Sequence, residues 1–246
     1  MEYFFTKSKP IQEIIKGFNL TKTLFVSSIL IGEANIGKKS LIRSIFPETP
    51  LVSGKNQEEV VLALESYDEL IITDFEKLNN QNNLDFSNKR IIATANYLGN
   101  TTLINELFAF IYTMPTLNER PKDVIFLRNL FLKDAQETLM IENNKIELDS
   151  LSLDLSSNSK SLKKSIYMHL AKYSMTIDDI QDVLHSYLYK HLEGQDGYKK
   201  YLGLYEKPLI EAGLKKYGSQ LQLAQTLGIN RNTLRKKIHE HNIDQL

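Results

Sequence analysis

Three groups of residues have types and spacings that can do chemistry. The first runs Gly32, Glu33, Ala34, Asn35, Ile36, Gly37, Lys38, Lys39, Ser40, directly after the apolar run Ile29-Leu30-Ile31. Glycine, four residues, glycine and lysine after a strand is an arrangement that cradles phosphate. The glycines let successive backbone N–H groups converge on an anion, a following helix N-terminus adds positive partial charge, and the lysine reaches the outer phosphates. Such loops place Ser or Thr after the lysine to hold magnesium, and Lys39 stands there instead. The second group is Asp74-Phe75-Glu76, after Leu70-Ile71-Ile72-Thr73. Asp74 is placed to hold magnesium directly or through water. A water-activating acid would follow at once, yet Phe75 intervenes and Glu76 comes one position late. The third group is C-terminal: Ser219 and Gln220 open one helix, Gly228 makes a turn, and Asn230, Arg231, Asn232, Thr233, Arg235, Lys236 and Lys237 open a second. A helix so basic, packed on a partner helix, suits a groove of DNA. Asn230 is a good N-cap. Arg231, Asn232 and Arg235 can reach base edges or phosphates, Thr233 either, and Lys236 and Lys237 phosphates.

These groups need elements to position them. Between about residues 20 and 130, apolar runs (Thr23 to Ile31, Glu69 to Thr73, Lys89 to Ala95) alternate with helix-compatible stretches (Lys38 to Phe46, Glu58 to Ser66). That alternation predicts a parallel sheet with helices on its faces. Asn79 to Asn83 reads as a loop. From about 122 to 172 the pattern is helical, with a polar interruption at Ser156 to Ser161. A third region begins near Thr176 with a helix from Ile177 to Leu192, its first turn carrying Asp178 and Asp179 against the positive helix end. A turn at Gly194 to Gly197 leads to a helix from about Tyr198 to Tyr217, where Pro208 predicts a kink or break. Leu221, Leu223, Ala224 and Leu227 are expected to bury the first helix of the C-terminal pair; Ile229, Leu234 and Ile238 anchor the second.

The chain has 246 residues and no cysteine, which excludes disulfides, thiolate zinc sites and cysteine nucleophiles and fits a cytoplasmic protein. No apolar run approaches a membrane span, and no secretion signal is read at the N-terminus. Formal net charge is zero, but residues from Tyr198 onward carry nine Lys or Arg against four Asp or Glu, so an acidic body bears a basic tail. The five histidines show no metal spacing with nearby acids.

In order and content these motifs resemble the NtrC-type bacterial enhancer-binding proteins, AAA+ activators of sigma-54 RNA polymerase, and the C-terminal portion resembles the nucleoid protein Fis. The family's phosphate loop runs glycine, glutamate, three residues, glycine, lysine; Gly32, Glu33, Gly37 and Lys38 match it. Lys89 to Asn96 resembles the strand that ends in the sensor I asparagine, here Asn96. Met114 to Val124 resembles the segment leading into the lid. Leu155 to Leu162 lies where the family carries its sensor II turn, keeping an asparagine, a leucine and the basic residue Lys160. The resemblance implies ATP or ADP with Mg2+ at Gly32, Glu33, Asn35, Gly37, Lys38, Lys39, Ser40, Asn96 and Lys160, with Asp74 on the metal. It also implies a Fis-like dimer through Leu184, Tyr187, Leu188, Leu192, Leu204, Leu209 and Leu214.

The chain departs from the family as well. The Gly-Ala-Phe-Thr-Gly-Ala loop that touches the sigma factor has no counterpart, and 36 positions separate Lys38 from Asp74, too few for the family's insertions. Ile91 to Glu119 holds no Arg or Lys, so arginine fingers, worth roughly a thousandfold in rate, are missing. No receiver domain is expected ahead of Lys9.

The expected architecture is therefore α/β: a reduced AAA+ P-loop domain over 1–133, a helical lid-like segment over 134–174, and a small all-α Fis-like helix-turn-helix domain over 175–246. The expected function is a cytoplasmic, nucleoid-associated, dimeric, sequence-specific regulator on double-stranded DNA, with no membrane partner. A protein partner at the N-terminal domain is a further expectation. Two alternatives stand beside this: a slow ATPase whose nucleotide state controls DNA binding, and a Fis-like architectural DNA-bending protein. For the loop itself, the plain alternative is a relic that keeps its turn without nucleotide.

Overall fold

The computed structural model describes residues 4–79, 81, 84–141 and 151–243, and the chain divides into two compact units, 1–175 and 176–246. In the first unit, α1 (Lys9–Leu24) precedes β1 (Ser28–Ile31), α2 (Lys38–Ile45), β2 (Leu51–Ser53), α3 (Gln57–Ser66), β3 (Glu69–Thr73), β4 (Arg90–Ala95), α4 (Thr101–Leu107), β5 (Phe110–Thr113), α5 (Pro121–Leu139) and α6 (Ser159–Ser174). The strands form one parallel sheet in the order β2-β3-β4-β1-β5, the α/β arrangement that the alternating pattern predicts.

The central strands read as unbroken apolar runs because both sheet faces are covered. Ile29, Ile31, Leu70, Ile72, Ile91 and Ala93 pack on one face with Val60, Leu64, Phe75, Ile104 and Phe108. Their neighbours Leu30, Ile71 and Ile92 pack on the other with Ile11, Phe18, Leu41, Ile42 and Phe46. Arg90, buried at the start of β4, pairs with Glu69 and donates to the carbonyls of Thr21 and Lys22. That places a cation at the negative C-terminus of α1. A separate core joins α5 to α6 through Val124, Leu132, Ala135, Leu162, Ile166 and Leu170.

Several expected boundaries move. The strand expected from Thr23 begins only at Ser28. Residues up to Leu24 belong to α1, which ends at Phe25 in the left-handed conformation (φ 49°). Helix α5 runs without a break from Pro121 to Leu139, so the boundary expected at 133/134 falls within a helix. Within the helical stretch expected over 122–172, residues 142–150 lie outside the described residues. So do Asn80, Asn82 and Asn83 of the expected loop.

The second unit comprises α7 (Ile177–His191), α8 (Gly197–Tyr217), α9 (Gln220–Thr226) and α10 (Arg231–Glu240). Thr176 and Asp179 form a reciprocal capping box at the start of α7. Helix α8 continues through Pro208, so the expected break does not occur. Its C-terminus is closed by Gly218 (φ 63°), which can take the left-handed conformation without a Cβ penalty. Ile210, Leu223, Ala224, Leu234, Ile238 and Ile243 form the core of the unit, with Leu214, Tyr217, Leu227 and Ile229 packed against it. Helices α8 and α9 meet so closely that a Cβ on Gly213 would lie 2.2 Å from Leu223 Cδ1. Leu221, expected in this core, is 53% exposed. At about 100° per helical residue it points well away from the stripe of Leu223, Ala224 and Leu227. Among the described residues no helix is long and apolar enough to cross a membrane.

Candidate phosphate pocket and nucleic-acid interface

The carboxyl ends of β1, β3 and β4 open onto a cavity of about 440 Å³ lined by Asn35, Gly37, Lys38, Lys39, Ser40, Ser53, Thr73, Asp74, Thr94, Asn96 and Ser159, with Leu51. Ligands of open parallel sheets bind at this edge. The loop turns into α2 at Gly37, whose φ of 99° favours glycine. The buried Lys38 ammonium donates to the carbonyls of Gly32 (2.7 Å) and Glu33 (2.6 Å) and to Asn96 Oδ1 (3.0 Å). Burial lowers its pKa, opposed by the nearby carboxylates of Glu76, Asp74 and Glu33. Asn96 in turn donates through Nδ2 to Glu76 Oε1 (2.7 Å), and Glu76 Oε2 is buried without a hydrogen-bond partner. The glycine turn, the helix end and the lysine are the parts that could hold a phosphate; the orphaned Glu76 oxygen is an acceptor and calls for a donor.

The register after β3 explains Glu76. Asp74 sits in the left-handed region (φ 52°), and Phe75 to Lys77 form a short 3-10 turn. Phe75 drops into the sheet core, and Glu76, one residue later, returns to the pocket beside Asn96. Asp74, expected as the metal ligand, faces Lys55 Nζ at 3.0 Å, with Ser53 Oγ 3.5 Å from the same oxygen.

Lys160, expected at the nucleotide, is exposed and does not line the cavity; its neighbour Ser159 does. Gly32 and Glu33 lie in the loop wall behind Lys38. The residue that joins the α6 end to the loop is Asn158, which sequence reasoning does not single out as a site residue. It is buried at φ 54°, donates to Glu33 Oε2 (2.9 Å) and Ala34 O (3.2 Å), and accepts from Leu117 N (3.0 Å). Ser159 Oγ adds a bond to Asn35 O (2.6 Å). A second buried clamp is equally hidden in the sequence. Arg120 donates to Ile36 O (2.8 Å) and faces Asp123 (3.6 Å), whose carboxylate accepts from Thr6 Oγ1 and Lys7 N (2.8 Å each). Most of these partners are far apart along the chain, and no local spacing signals them.

In the second unit, Asn230 caps α10 by accepting from Asn232 N (2.8 Å), and Gly228 (φ 64°) makes the turn from α9. Leu234 and Ile238 face inward. Arg231, Asn232, Thr233, Arg235 and Lys236 are exposed. Ser219 and Gln220 are half-buried at the start of α9, where Ser219 Oγ accepts from Gln222 N. Lys237, expected to contact phosphate, is drawn inward instead: its ammonium pairs with Glu206 on α8, which His241 Nε2 also approaches at 3.1 Å. Position 237 adjoins the buried stripe of 234 and 238, so a long side chain there lies along α8. The first two turns of α10 thus carry four exposed polar or basic groups, with Lys236 just beyond.

The molecule is thus a P-loop α/β unit followed by a helix-turn-helix unit. Residues 202–241 match the model of the bacterial regulatory proteins of the Fis family. A putative Fis-like DNA-binding protein of Pseudomonas aeruginosa is 39% identical over 70 residues, which are 27% of this chain and 66% of that relative. The crystal structure of NtrX from Brucella abortus in complex with ADP superimposes with a TM-score of 0.57 at 15% identity, covering 99% of this chain and 70% of that one. The same protein in complex with ATP gives 0.54 at 14% identity, covering 98% and 69%. At such identities the likeness establishes the fold alone: a parallel α/β unit followed by a helical unit that matches the Fis family over residues 202–241.

Proposed function

We propose that this protein is a sequence-specific DNA-binding transcriptional regulator of the NtrC type that acts as a dimer. The observation that carries the reading is the start of α10, where Arg231, Asn232, Thr233 and Arg235 are all exposed above a well-packed core. One helix reads few bases, and helix-turn-helix proteins commonly pair two on adjacent half-sites. Helix α7 supports the pairing. It has no buried residue, yet Ile177, Ile180, Val183, Leu184 and Tyr187 are large apolar groups along it. A helix of this length is marginal alone in water, and the α7 of a second copy supplies an apolar cover. Leu214, expected at that interface, packs on the helix-turn-helix core instead.

Binding of a promoter duplex, followed by fluorescence anisotropy over a salt series, tests the reading. Arg235→Ala is expected to weaken specific binding by about 1–3 kcal/mol if the side chain reads a base, and to lower the salt slope by about one if it neutralises a phosphate. Unchanged affinity at matched salt overturns the recognition helix. Genome-wide footprinting separates a regulator, with a few strong sites, from an architectural DNA-bending protein, with broad occupancy.

A second reading concerns the first unit, which we assign as a site for ATP or ADP. The left-handed Gly37 at the start of α2 and the cavity lined by Lys38, Lys39 and Ser40 support it. Without arginine fingers or a sigma-contacting loop, the nucleotide serves as a ligand and is turned over slowly at most, so the unit is a sensor or a stabilising platform for DNA binding or for a protein partner. Calorimetry with ADP tests this, and Lys38→Ala is expected to abolish the heat.

A further inference from the structure

We propose that the pocket holds its polyphosphate without a divalent cation, the Lys55 ammonium standing in the metal's place beside Asp74. The inference rests on the nucleotide-binding reading above and specifies its chemistry.

Magnesium demands near-octahedral oxygen coordination and gives up its water reluctantly, so a protein that uses it must offer oxygens. The donor set here does not fit. The hydroxyl that would follow Lys38 is replaced by the ammonium of Lys39, on an exposed side chain lining the cavity. Asp74 Oδ2 is already engaged by Lys55 Nζ at 3.0 Å.

Lys55 is at Asp74 because of the backbone. Gly54 N donates to Thr73 O (2.7 Å), and a Cβ on Gly54 would lie 2.5 Å from Asp74 O. Only glycine lets the two strand ends approach this closely, and the approach carries residue 55 to the carboxylate. Lys55 then pairs with Asp74, Lys38 lies near both Asp74 and Glu76, and Lys39 lines the same cavity. Asp74 is neutralised by the chain itself, and the phosphate charge is met by lysines that need no desolvated metal. A lysine ammonium is a compact point charge with three donors, and phosphate oxygens satisfy it as water would.

The test uses the full-length chain with ADP as the probe, titrated calorimetrically in EDTA and again in saturating magnesium. The expected result is the same affinity in both arms to within about twofold, with Lys55→Ala weakening the EDTA arm by roughly three- to tenfold. In that variant magnesium restores the loss, because Asp74 is then open to it. Circular dichroism of Lys55→Ala should match wild type, the side chain being 65% exposed. Binding that appears only with magnesium overturns the inference and leaves the nucleotide reading standing. Binding in neither arm overturns the nucleotide reading, and this inference with it. Unaltered binding by Lys55→Ala in EDTA also overturns the assignment to Lys55.

Discussion

Asn158 is a single side chain on which the loop and the α6 end both depend, and its removal can be worked through. Asn158→Ala deletes the acceptor for Leu117 N, which is fully enclosed, and leaves that donor unpaired. A buried orphan of this kind costs about 1–3 kcal/mol. Two donated bonds to Glu33 and Ala34 go as well; both partners are exposed, so water replaces them and their combined loss is counted at about 0.5–1 kcal/mol. Alanine at φ 54° and ψ −131° adds backbone strain of about 1–2 kcal/mol. The sum is about 2.5–6 kcal/mol, and at 2–4 °C per kcal/mol for a unit of this size the melting transition falls by roughly 5–25 °C. The assay is a thermal melt of the α/β unit in the full-length chain. Asn158→Gly separates the contributions, since glycine takes this conformation without strain and should recover about 1–2 kcal/mol relative to alanine. A melting temperature for Asn158→Ala within experimental error of wild type would contradict this account, as would a glycine variant no more stable than alanine.

Other consequences are as direct. Lys236→Ala should lower the salt dependence of DNA binding, whereas Lys237→Ala should act mainly on thermal stability, because only Lys237 is tied to Glu206; anisotropy and melting curves measured on both variants distinguish the two. Lys237, then His241, holds the Glu206 carboxyl below its usual range. Its stabilisation is therefore fully present above the ordinary glutamate pKa of about 4.3 and is lost as pH falls through the lowered folded value. Glu206→Gln should flatten the acid limb of the melting curve of the helix-turn-helix unit, and an identical acid limb would rule the network out. Ile180→Asp with Val183→Asp should convert the dimer to monomer in analytical ultracentrifugation and weaken DNA binding by roughly tenfold or more, since two half-sites are then no longer engaged together.

How much of this is legible in the sequence varies with the range of the interaction. The phosphate loop and the helix-turn-helix are written in consecutive residues: glycines where the backbone needs a left-handed turn, a capping asparagine, and apolar residues one turn apart. The buried central strands are plain because nearly all their residues are apolar. The edge strands Leu51–Ser53 and Phe110–Thr113 give no such signal, being short and only partly covered. The first helix is masked because the apolar run Leu24-Phe25-Val26 continues across its end, and nothing local marks the reversal at Phe25. Lys237 looks identical to Lys236 in sequence, and only Glu206, 31 residues earlier, tells them apart. Asn158 and Arg120 fall inside the motifs that resemble the family, but their roles as clamps are not legible, since their partners are distant and become neighbours only in the fold.

Phe75 has a consequence for how such a site can change over time. The ring is 1% exposed and stacks edge-on against Phe108, with centroids 5.2 Å apart. Exchanging it for glutamate, the smallest edit that would set two acids in a row after Asp74, would push a carboxylate into the hydrocarbon interior and cost several kcal/mol. The neighbouring acid at Glu76 already occupies the place beside Asn96, so the buried newcomer would gain no role there. Aromatic packing thus acts as a barrier to placing adjacent acids after β3, and any chemistry that needs a second acid there would have to be built around Glu76.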